Sequence, residues 1–373
     1  MRVRVLADDL TGAADAAIAF AGGRPRLALH TATALWQSDQ AVVALDTAAR
    51  DAGAAVASAS AARLAGGLMS ADIAMKKIDS LLRGPIRAEI QALRTAMPTA
   101  RIVVAPAFPA LGRTTRDGMQ HVDGTALGPG RGDLTGLLAP LPTVTVGLSG
   151  VRAGTLAHEA DAAGEAVICA DAETDDDLDA VVAACGRLGG PVLWVGSGGL
   201  AHALARAAMP ARRPPPVIAA GRFLAVIGSA CPLAARQAAA LPAQHIDIPV
   251  DDLAAEPWAE RIGQAVRAGD TVVRVVGPVD PSAAATVSGR LAAVVTPAVA
   301  DVSLLMLTGG ATARAILVRC GCTELELLSE TEPGVVLSAP AAGLFPHVLT
   351  KAGAFGDDHT LARALKQVRK EKQ

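Results

Sequence analysis

Short runs of β-branched residues alternate with Ala- and Leu-rich stretches along most of the chain, and this alternation constrains the fold most strongly. The strand candidates are 2–7, 41–46, 71–78, 101–106, 166–170, 191–196, 223–229, 245–250, 271–277, 304–310 and 348–356. Helices are indicated between them, with Gly84 as a cap and Pro85 as a first helical residue, at Pro232 and from Asp358. This pattern predicts an α/β fold with mainly parallel sheets flanked by helices.

A proline-rich stretch at 209–221, MPARRPPPVIAAG, interrupts the alternation. Its four prolines cannot continue a helix and are typical of a semi-rigid connector. We therefore expect an N-terminal domain at 1–208, a linker at 209–221 and a C-terminal domain at 222–373. Two α/β lobes joined in this way predict an active-site cleft between them.

Composition excludes several classes of protein. The 34 basic and 36 acidic residues leave a net charge of -2, which gives no bulk attraction for nucleic acid or an anionic membrane. No apolar run approaches the ~20 residues of a membrane span, and the opening MRVRVLADD is unlike a secretory signal. Five scattered cysteines indicate reduced thiols. We expect a cytoplasmic protein whose partners are small molecules.

Polar residues and helix-start amides follow three predicted strands of the first domain. They are Asp8, Asp9, Thr11 and Gly12 after 2–7, Lys77, Asp79, Ser80 and Arg83 after 71–78, and Arg113 after 101–106. Ligands of parallel sheets bind outside the carboxyl ends of strands. Amides and cations there can hold a carboxylate, and an aspartate can accept a hydrogen bond from a hydroxyl. These positions indicate a site for a polyhydroxy acid.

Each of these clusters also has a purely structural interpretation. Asp9 is a suitable helix N-cap beside a solvated Asp8, and capping is the commoner use of such a pair. The stretch at 77–83 is equally consistent with an ion-paired surface turn.

Glycine marks the strand ends of the second domain. The candidates for holding phosphate are Ser229, Gly309, Gly310, Ala311, Thr312 and Gly353. Backbone amides can converge on an anion where no side chain intervenes. None of these turns has the Walker pattern or GxGxxG, so tight strand-to-helix packing is the alternative interpretation.

Taken in order, ADDLTGA, KKIDSLLRG, APAFPALGRTT, GSGGLA, a strand ending in GS followed by CP, LTGGATA and TKAGAFG resemble the four-carbon acid sugar kinase family. The resemblance runs from Asp8 to about Phe355. It implies an N-terminal acid-sugar domain, a C-terminal nucleotide domain, and phosphorylation of threonate, erythronate or 3-oxo-tetronate by ATP with Mg²⁺. It also implies ATP contacts at the glycine turns and substrate contacts at Asp8, Asp9, Lys77, Asp79 and Arg83.

In the mechanism that we expect, an aspartate accepts the hydroxyl proton, and Asp8, Asp9 and Asp79 are the candidates by residue type. Asp9 is favoured because it is nearest the helix start. Ala311 stands where relatives often carry an acid, and Cys231 where they carry a second hydroxyl; the metal ligands stay unknown. The alternatives are a non-catalytic acid-sugar or nucleotide sensor and a dinucleotide oxidoreductase. A homodimer stays open.

Overall fold

The computed structural model describes residues 1–29, 33–128, 130–209, 216–218, 221–253, 257–341 and 346–369. Residues 210–215 and 219–220 of the expected linker lie outside the described residues, as do the last basic residues at 370–373. The chain divides into two compact units, unit 1 with residues 1–25 and 33–212, and unit 2 with residues 26–32 and 213–373. The domain boundaries at 208 and 222 stay predictions.

Unit 1 contains a parallel sheet. Its strands are β1 (Val3–Ala7), β3 (Val42–Asp46), β4 (Ile73–Lys77), β5 (Arg101–Ala105), β9 (Thr143–Val146), β10 (Val167–Ala170) and β11 (Val192–Gly196). Their spatial order is β3-β1-β4-β11-β5-β10-β9, and every pairing is parallel. Residues of β1, β3 and β4 are buried throughout, as expected for a sheet covered on both faces.

Helices follow most strands of unit 1. They are α1 (Leu10–Ile18), α2 (Thr33–Trp36), α3 (Ala54–Met69), α4 (Ile86–Ala96), α5 (Leu134–Leu138), α6 (Leu148–Ala153), α7 (Leu156–Ala162), α8 (Asp175–Cys185) and α9 (Gly198–Ala208). A small antiparallel sheet of β6 (Arg113–Arg116), β7 (Met119–Val122) and β8 (Thr125–Ala126) lies between β5 and α5 in sequence. Its two turns are Asp-Gly pairs at 117–118 and 123–124, and all four residues have positive φ.

Unit 2 has a mixed sheet. Its strands are β2 (Arg26–Leu29), β12 (Phe223–Ile227), β13 (Gln244–Pro249), β14 (Thr271–Val276), β15 (Leu304–Thr308), β16 (Glu324–Glu332), β17 (Val335–Pro340) and β18 (His347–Lys351). The order is β13-β14-β12-β15-β18-β17-β16-β2. Pairings from β13 to β18 are parallel, and those from β18 to β2 are antiparallel.

The helices of unit 2 are α10 (Pro232–Ala239), α11 (Trp258–Ala268), α12 (Ala284–Val295), α13 (Gly310–Arg319) and α14 (Thr360–Val368). One core cluster packs α10 and α14 against side chains such as Phe223, Met306 and Leu349. Within the described ranges, no helix is both long enough and apolar enough to cross a membrane.

The predicted α/β class with a mainly parallel sheet is confirmed, and every predicted strand run contains a strand. Two predicted helix starts are wrong. Pro85 is the N-cap of α4, because its ψ of 44° is not helical. The last helix begins at Thr360, because a turn closes first: the amide of Asp357 donates to Thr360 Oγ1 at 2.8 Å, and the Asp357 carboxylate accepts from the amide of His359 at 2.9 Å.

Candidate functional site

The polar strand ends of unit 1 meet because β1 lies between β3 and β4. Ala7 at the end of β1 pairs with Asp46 of β3 on one side and with Lys77 of β4 on the other. The chain moves from β1 to β3 in one direction and then returns to the opposite side for β4. Ligands of open α/β sheets bind at such a switch point, outside the carboxyl ends of the strands.

Arg50 is the centre of this strand-end cluster. The loop after β3 is fixed on β1, because the amides of Thr47 and Arg50 donate to the carbonyls of Ala7 and Asp8 at 2.9 and 3.1 Å. The Arg50 guanidinium then bonds both oxygens of Asp8, donates to Asp9 Oδ1 at 2.8 Å, and lies 3.5 Å from Asp79 Oδ1. Three carboxylates from two strand ends therefore share one cation.

This cluster sets the protonation of its buried acids. Burial alone would raise the pKa of Asp8, but hydrogen bonds and charge from Arg50, with Lys76 and Lys77, hold that pKa below its usual value. Burial of Asp79 is likewise outweighed by Arg83 and Arg50, which lower its pKa to about 2. Both groups are therefore ionised and weakly basic at neutral pH.

The two aspartates at the end of β1 have different environments. Asp9 is the N-cap of α1: its carboxylate accepts from the Gly12 amide at 3.2 Å and from Thr11 Oγ1 at 2.7 Å. Its side chain is 17% exposed, whereas that of Asp8 is 1% exposed. The structural interpretation of Asp9 as a cap is thus correct, and the interpretation of Asp8 as a solvated acid is wrong because Arg50 holds it in the interior.

The cations after β4 differ in accessibility. Arg83 forms a bidentate pair with Asp79 at 2.6 and 2.9 Å, and its side chain is 46% exposed. Lys77 is buried: its Nζ donates to the Ile78 carbonyl at 3.0 Å and would lie 3.0 Å from a Cβ added at Gly12. Arg83 therefore presents the positive charge at this edge that an anion can reach.

The remaining predicted residues of unit 1 have separate surroundings. Ser80 is buried, and its hydroxyl has no hydrogen-bond partner among the described atoms. Arg113 lies on β6, where its guanidinium donates to the Leu111 carbonyl. No hydrogen bond or ion pair in the described part of the chain joins Arg113 to Asp8, Asp9 or Asp79. The Gly12 amide is already occupied by Asp9.

The sequence reasoning missed Arg50. The residue lies in TAARDAG, just after the predicted strand 41–46. The criterion that selected the other strand ends, charged residues in the loop after a parallel strand, also fits this loop, although it does not indicate which residue Arg50 contacts.

The strand ends of unit 2 meet in the same way. The chain leaves β12 towards β13 and β14 and then crosses to β15 on the other side, which makes β12 and β15 a switch point. Ile227 pairs with Thr308, and Thr308 with Lys351. The three glycine turns that follow these strands are therefore neighbours.

Close backbone approach explains the glycines at this edge. Gly309 has a φ of 96° and donates its amide to the Lys351 carbonyl at 2.9 Å. A Cβ at Gly353 would overlap the Ser229 hydroxyl and lie 2.7 Å from Ser229 Cβ. A side chain at either position would distort or fill the turn, and this fits a cradle for phosphate built from backbone amides.

The residues in the first turn of α13 differ in their exposure to solvent. Thr312 is buried, and its hydroxyl lies 3.2 Å from Ser288 Oγ, which leaves its backbone amide as the group available to a ligand. Ala311 is exposed and Gly310 is half-buried. Position 311 thus faces solvent with a methyl group where an acid would have offered a metal ligand.

Lys351 supports this edge from within. It is fully buried, and its Nζ donates to the carbonyls of Ala352, Gly353 and Phe355 at 2.6, 3.1 and 3.0 Å. Burial lowers its pKa to about 8. The ammonium group therefore fixes the shape of the 352–355 turn rather than reaching a ligand.

Two family models match the chain. A sugar-binding N-terminal domain matches residues 3–131 and 132–204, and a nucleotide-binding C-terminal domain matches residues 224–361. A D-threonate kinase of Cupriavidus necator is 38% identical over 405 aligned residues, with 96% of each chain covered. A D-threonate kinase of Bordetella bronchiseptica is 32% identical and covers 99% of this chain and 98% of its own.

Solved structures share the fold. A Salmonella typhimurium chain has a TM-score of 0.79 at 21% identity and covers 98% of this chain and 99% of its own. A Haemophilus influenzae chain has a TM-score of 0.71 at 20% identity, with 98% and 99% covered. At these identities the likeness concerns the fold alone.

Proposed function

The chain belongs to the four-carbon acid sugar kinase family, and from that premise we propose that it transfers the γ-phosphoryl group of ATP to a hydroxyl of a four-carbon sugar acid, D-threonate first among them. The observation that carries the proposal is the cluster at the switch point of unit 1, where an exposed cation and several carboxylates lie together. A hydroxy acid needs a cation to pair with its carboxylate and a carboxylate to accept a hydrogen bond from its hydroxyl. The sensor alternative has no support, since the curated relatives are named as kinases.

The carboxylate of the sugar acid pairs with Arg83 in this proposal. Arg83 is fixed by its bidentate pair with Asp79, yet nearly half of its side chain is exposed. A guanidinium held in this way keeps donors for a second carboxylate at little further loss of side-chain freedom. Asp8 and Asp79 contribute by holding Arg50 and Arg83 in place. Substrate binding by the buried Ser80 hydroxyl stays a prediction.

Asp9 is proposed to accept the proton of the attacking hydroxyl. It is the most exposed of the three candidate carboxylates, with 17% against 1% for Asp8 and 8% for Asp79. Its Oδ2 receives one described hydrogen bond, from Thr11, so a lone pair stays free for substrate. Asp8 and Asp79 are poorer choices because their lowered pKa makes them weak bases.

The glycine turns of unit 2 are proposed to hold the phosphates of ATP. The Ser229 hydroxyl and the backbone amides of Gly310, Ala311, Thr312 and Gly353 are the proposed donors. Gly309, whose amide donates to the Lys351 carbonyl, shapes the turn. Bound ATP·Mg²⁺ supplies the transferable phosphoryl group and neutralises its charge. Because position 311 has no carboxylate, Mg²⁺ is expected to depend on phosphate oxygens and water for most of its ligands. The cytoplasmic location and the homodimer stay predictions.

Coupled ADP release from ATP·Mg²⁺ tests the activity. The panel is D-threonate, D-erythronate, L-threonate and 3-oxo-tetronate, and we expect turnover with D-threonate. Absence of turnover with the whole panel would contradict the proposal. If ATP also failed to raise the melting temperature, the nucleotide site would be wrong as well.

The Asp9→Asn substitution tests whether Asp9 accepts the proton of the attacking hydroxyl. Asp9→Asn keeps a capping oxygen but removes the charge, and we expect kcat to fall by about 10²–10⁴ with the KM for ATP unchanged. Asp51→Asn, at an exposed loop position nearby, is the matched control and should retain activity. Full turnover by Asp9→Asn would remove Asp9 from the reaction.

A further inference from the structure

A buried pair of polar side chains links β6 and β7 in unit 1. Thr115 and Gln120 face each other across this hairpin, and both are fully buried. The Thr115 hydroxyl donates to Gln120 Oε1 at 2.8 Å. Polar side chains in such an interior position need partners, and Thr115 satisfies the oxygen of the Gln120 amide.

The nitrogen of the same amide reaches the strand-end cluster. Gln120 Nε2 donates to the Ser80 carbonyl at 2.9 Å. A carbonyl oxygen can only accept, so this contact and the Thr115 hydroxyl together fix which end of the amide faces which partner. Ser80 directly follows Asp79, which pairs with Arg83.

The loop that receives this bond needs support. Leu82 has a φ of 55°, an unfavourable conformation for a branched side chain. The amides of Leu82 and Arg83 donate back to the carbonyl and carboxylate of Asp79 at 2.9 and 3.2 Å. A small shift of residue 80 would therefore move both partners of the Asp79–Arg83 pair.

The hairpin can act as a fixed support because it is anchored elsewhere. Thr115 exchanges backbone hydrogen bonds with Ala172 at 2.8 and 3.1 Å, just after β10. The Asp171 carboxylate accepts from the amides of Asp117 and Gly118 at 2.5 and 3.0 Å. The hairpin thus carries a rigid connection from the end of β10 to the loop after β4.

We propose that Gln120, oriented by Thr115, is a positioning residue for acid-sugar binding. It holds the Ser80 carbonyl and so keeps Asp79 and the Arg83 guanidinium in the arrangement that receives the sugar acid. This inference rests on the proposed function. It assigns a positioning role to the hairpin, through the contact of Gln120 with the loop after β4.

Two variants test this role, after turnover by the wild type has been measured. Gln120→Leu leaves the Ser80 carbonyl without its donor, and we expect the KM for D-threonate to rise by about tenfold or more, with the KM for ATP unchanged. Gln120→Glu places an acid at the same point. Its ionised form repels the Ser80 carbonyl, whereas its protonated form can donate to it.

The pH profile separates positioning from general damage. Burial raises the pKa of an introduced carboxyl, so kcat/KM of Gln120→Glu for D-threonate, relative to wild type, should increase as pH falls from about 8 to about 5.5. Gln37→Glu, at an exposed position of unit 1, should follow the wild-type profile. This readout also serves if Gln120→Leu does not fold.

Three results would overturn the proposal. One is an unchanged KM for D-threonate in folded Gln120→Leu, and another is a Gln120→Glu profile parallel to wild type. A third is an equal rise in the KM for ATP and for D-threonate. Absence of wild-type turnover would instead overturn the proposed function and this inference with it.

Discussion

Replacing Arg50 with methionine tests whether one guanidinium holds the ends of β1 and β4 together. Methionine keeps much of the apolar stem, but it leaves Asp8, whose side chain is 1% exposed, without its main cation. Asp9 and Asp79 each lose one partner as well. Removing one member of a buried ion pair costs about 3–5 kcal/mol. We expect Arg50→Met to lower the free energy of unfolding by this amount at pH 7.

The same variant should change how stability depends on pH. Arg50 helps to hold the folded-state pKa of Asp8 and Asp79 below the usual 3.8, and the value of about 2 for Asp79 is worth about 2 kcal/mol, shared with Arg83. Stabilisation from a lowered carboxyl pKa is present above the unfolded pKa and is lost as pH falls through the folded one. Arg50→Met lacks part of this stabilisation. The difference in free energy of unfolding between wild type and Arg50→Met should therefore decrease as pH falls from about 5 to about 2.

Urea unfolding followed by tryptophan fluorescence measures both effects, since Trp36 and Trp194 of unit 1 are buried. Arg63→Met on the exposed face of α3 is the matched control and should stay within about 0.5 kcal/mol of wild type. Two results would refute the reasoning that Arg50 holds this cluster. One is a free energy of unfolding that Arg50→Met lowers by less than about 1 kcal/mol at pH 7, and the other is a loss that is equal at pH 7 and pH 3.

Three further predictions concern unit 2. Gly353→Ala should raise the KM for ATP by about tenfold, because overpacking against Ser229 costs about 1–3 kcal/mol, whereas Gly269→Ala, where a methyl meets nothing within 4 Å, should leave it unchanged. The folded pKa of Lys351, about 8 instead of 10.5, means that the unfolded chain binds this proton more tightly; urea unfolding should therefore show wild type gaining stability relative to Lys351→Met from about pH 8 to pH 10. Ala311→Glu should raise the melting temperature slightly, since an acid in the first turn of a helix contributes about 0.3–1 kcal/mol, and should lower the Mg²⁺ concentration for half-maximal ADP release.

Local patterns were sufficient for the parallel strands that are buried on both faces, because these strands read as continuous apolar runs. They did not predict β9, an edge strand whose residues are mostly half-buried or exposed. The small sheet of unit 1 was not predicted, although its turns have a clear signal in the sequence. Asp117-Gly118 and Asp123-Gly124 are the dipeptides of tight hairpins, and both form such turns.

The antiparallel pair of β16 and β17 was not predicted, although the sequence carries a signal for its first strand. Residues 324–332, ELELLSETE, alternate between half-buried and buried positions, which is the two-residue period of a strand with one covered face. The site itself depended on strand order: nothing local in the sequence indicates that Arg50 faces Asp8, since that contact follows from β3 lying beside β1.

The position of β2 has a consequence for dissecting the protein. Residues 26–32 belong to unit 2, and β2 pairs with β16 through Arg26, Leu27 and Ala28. A fragment beginning at residue 213 would lack this strand and would present an unprotected edge, which favours aggregation. Proteolysis between residues 212 and 213 would leave two pieces that are still joined by the backbone hydrogen bonds between β2 and β16. Separately expressed halves are therefore expected to need co-expression, or a transplanted copy of residues 26–29, to remain monodisperse.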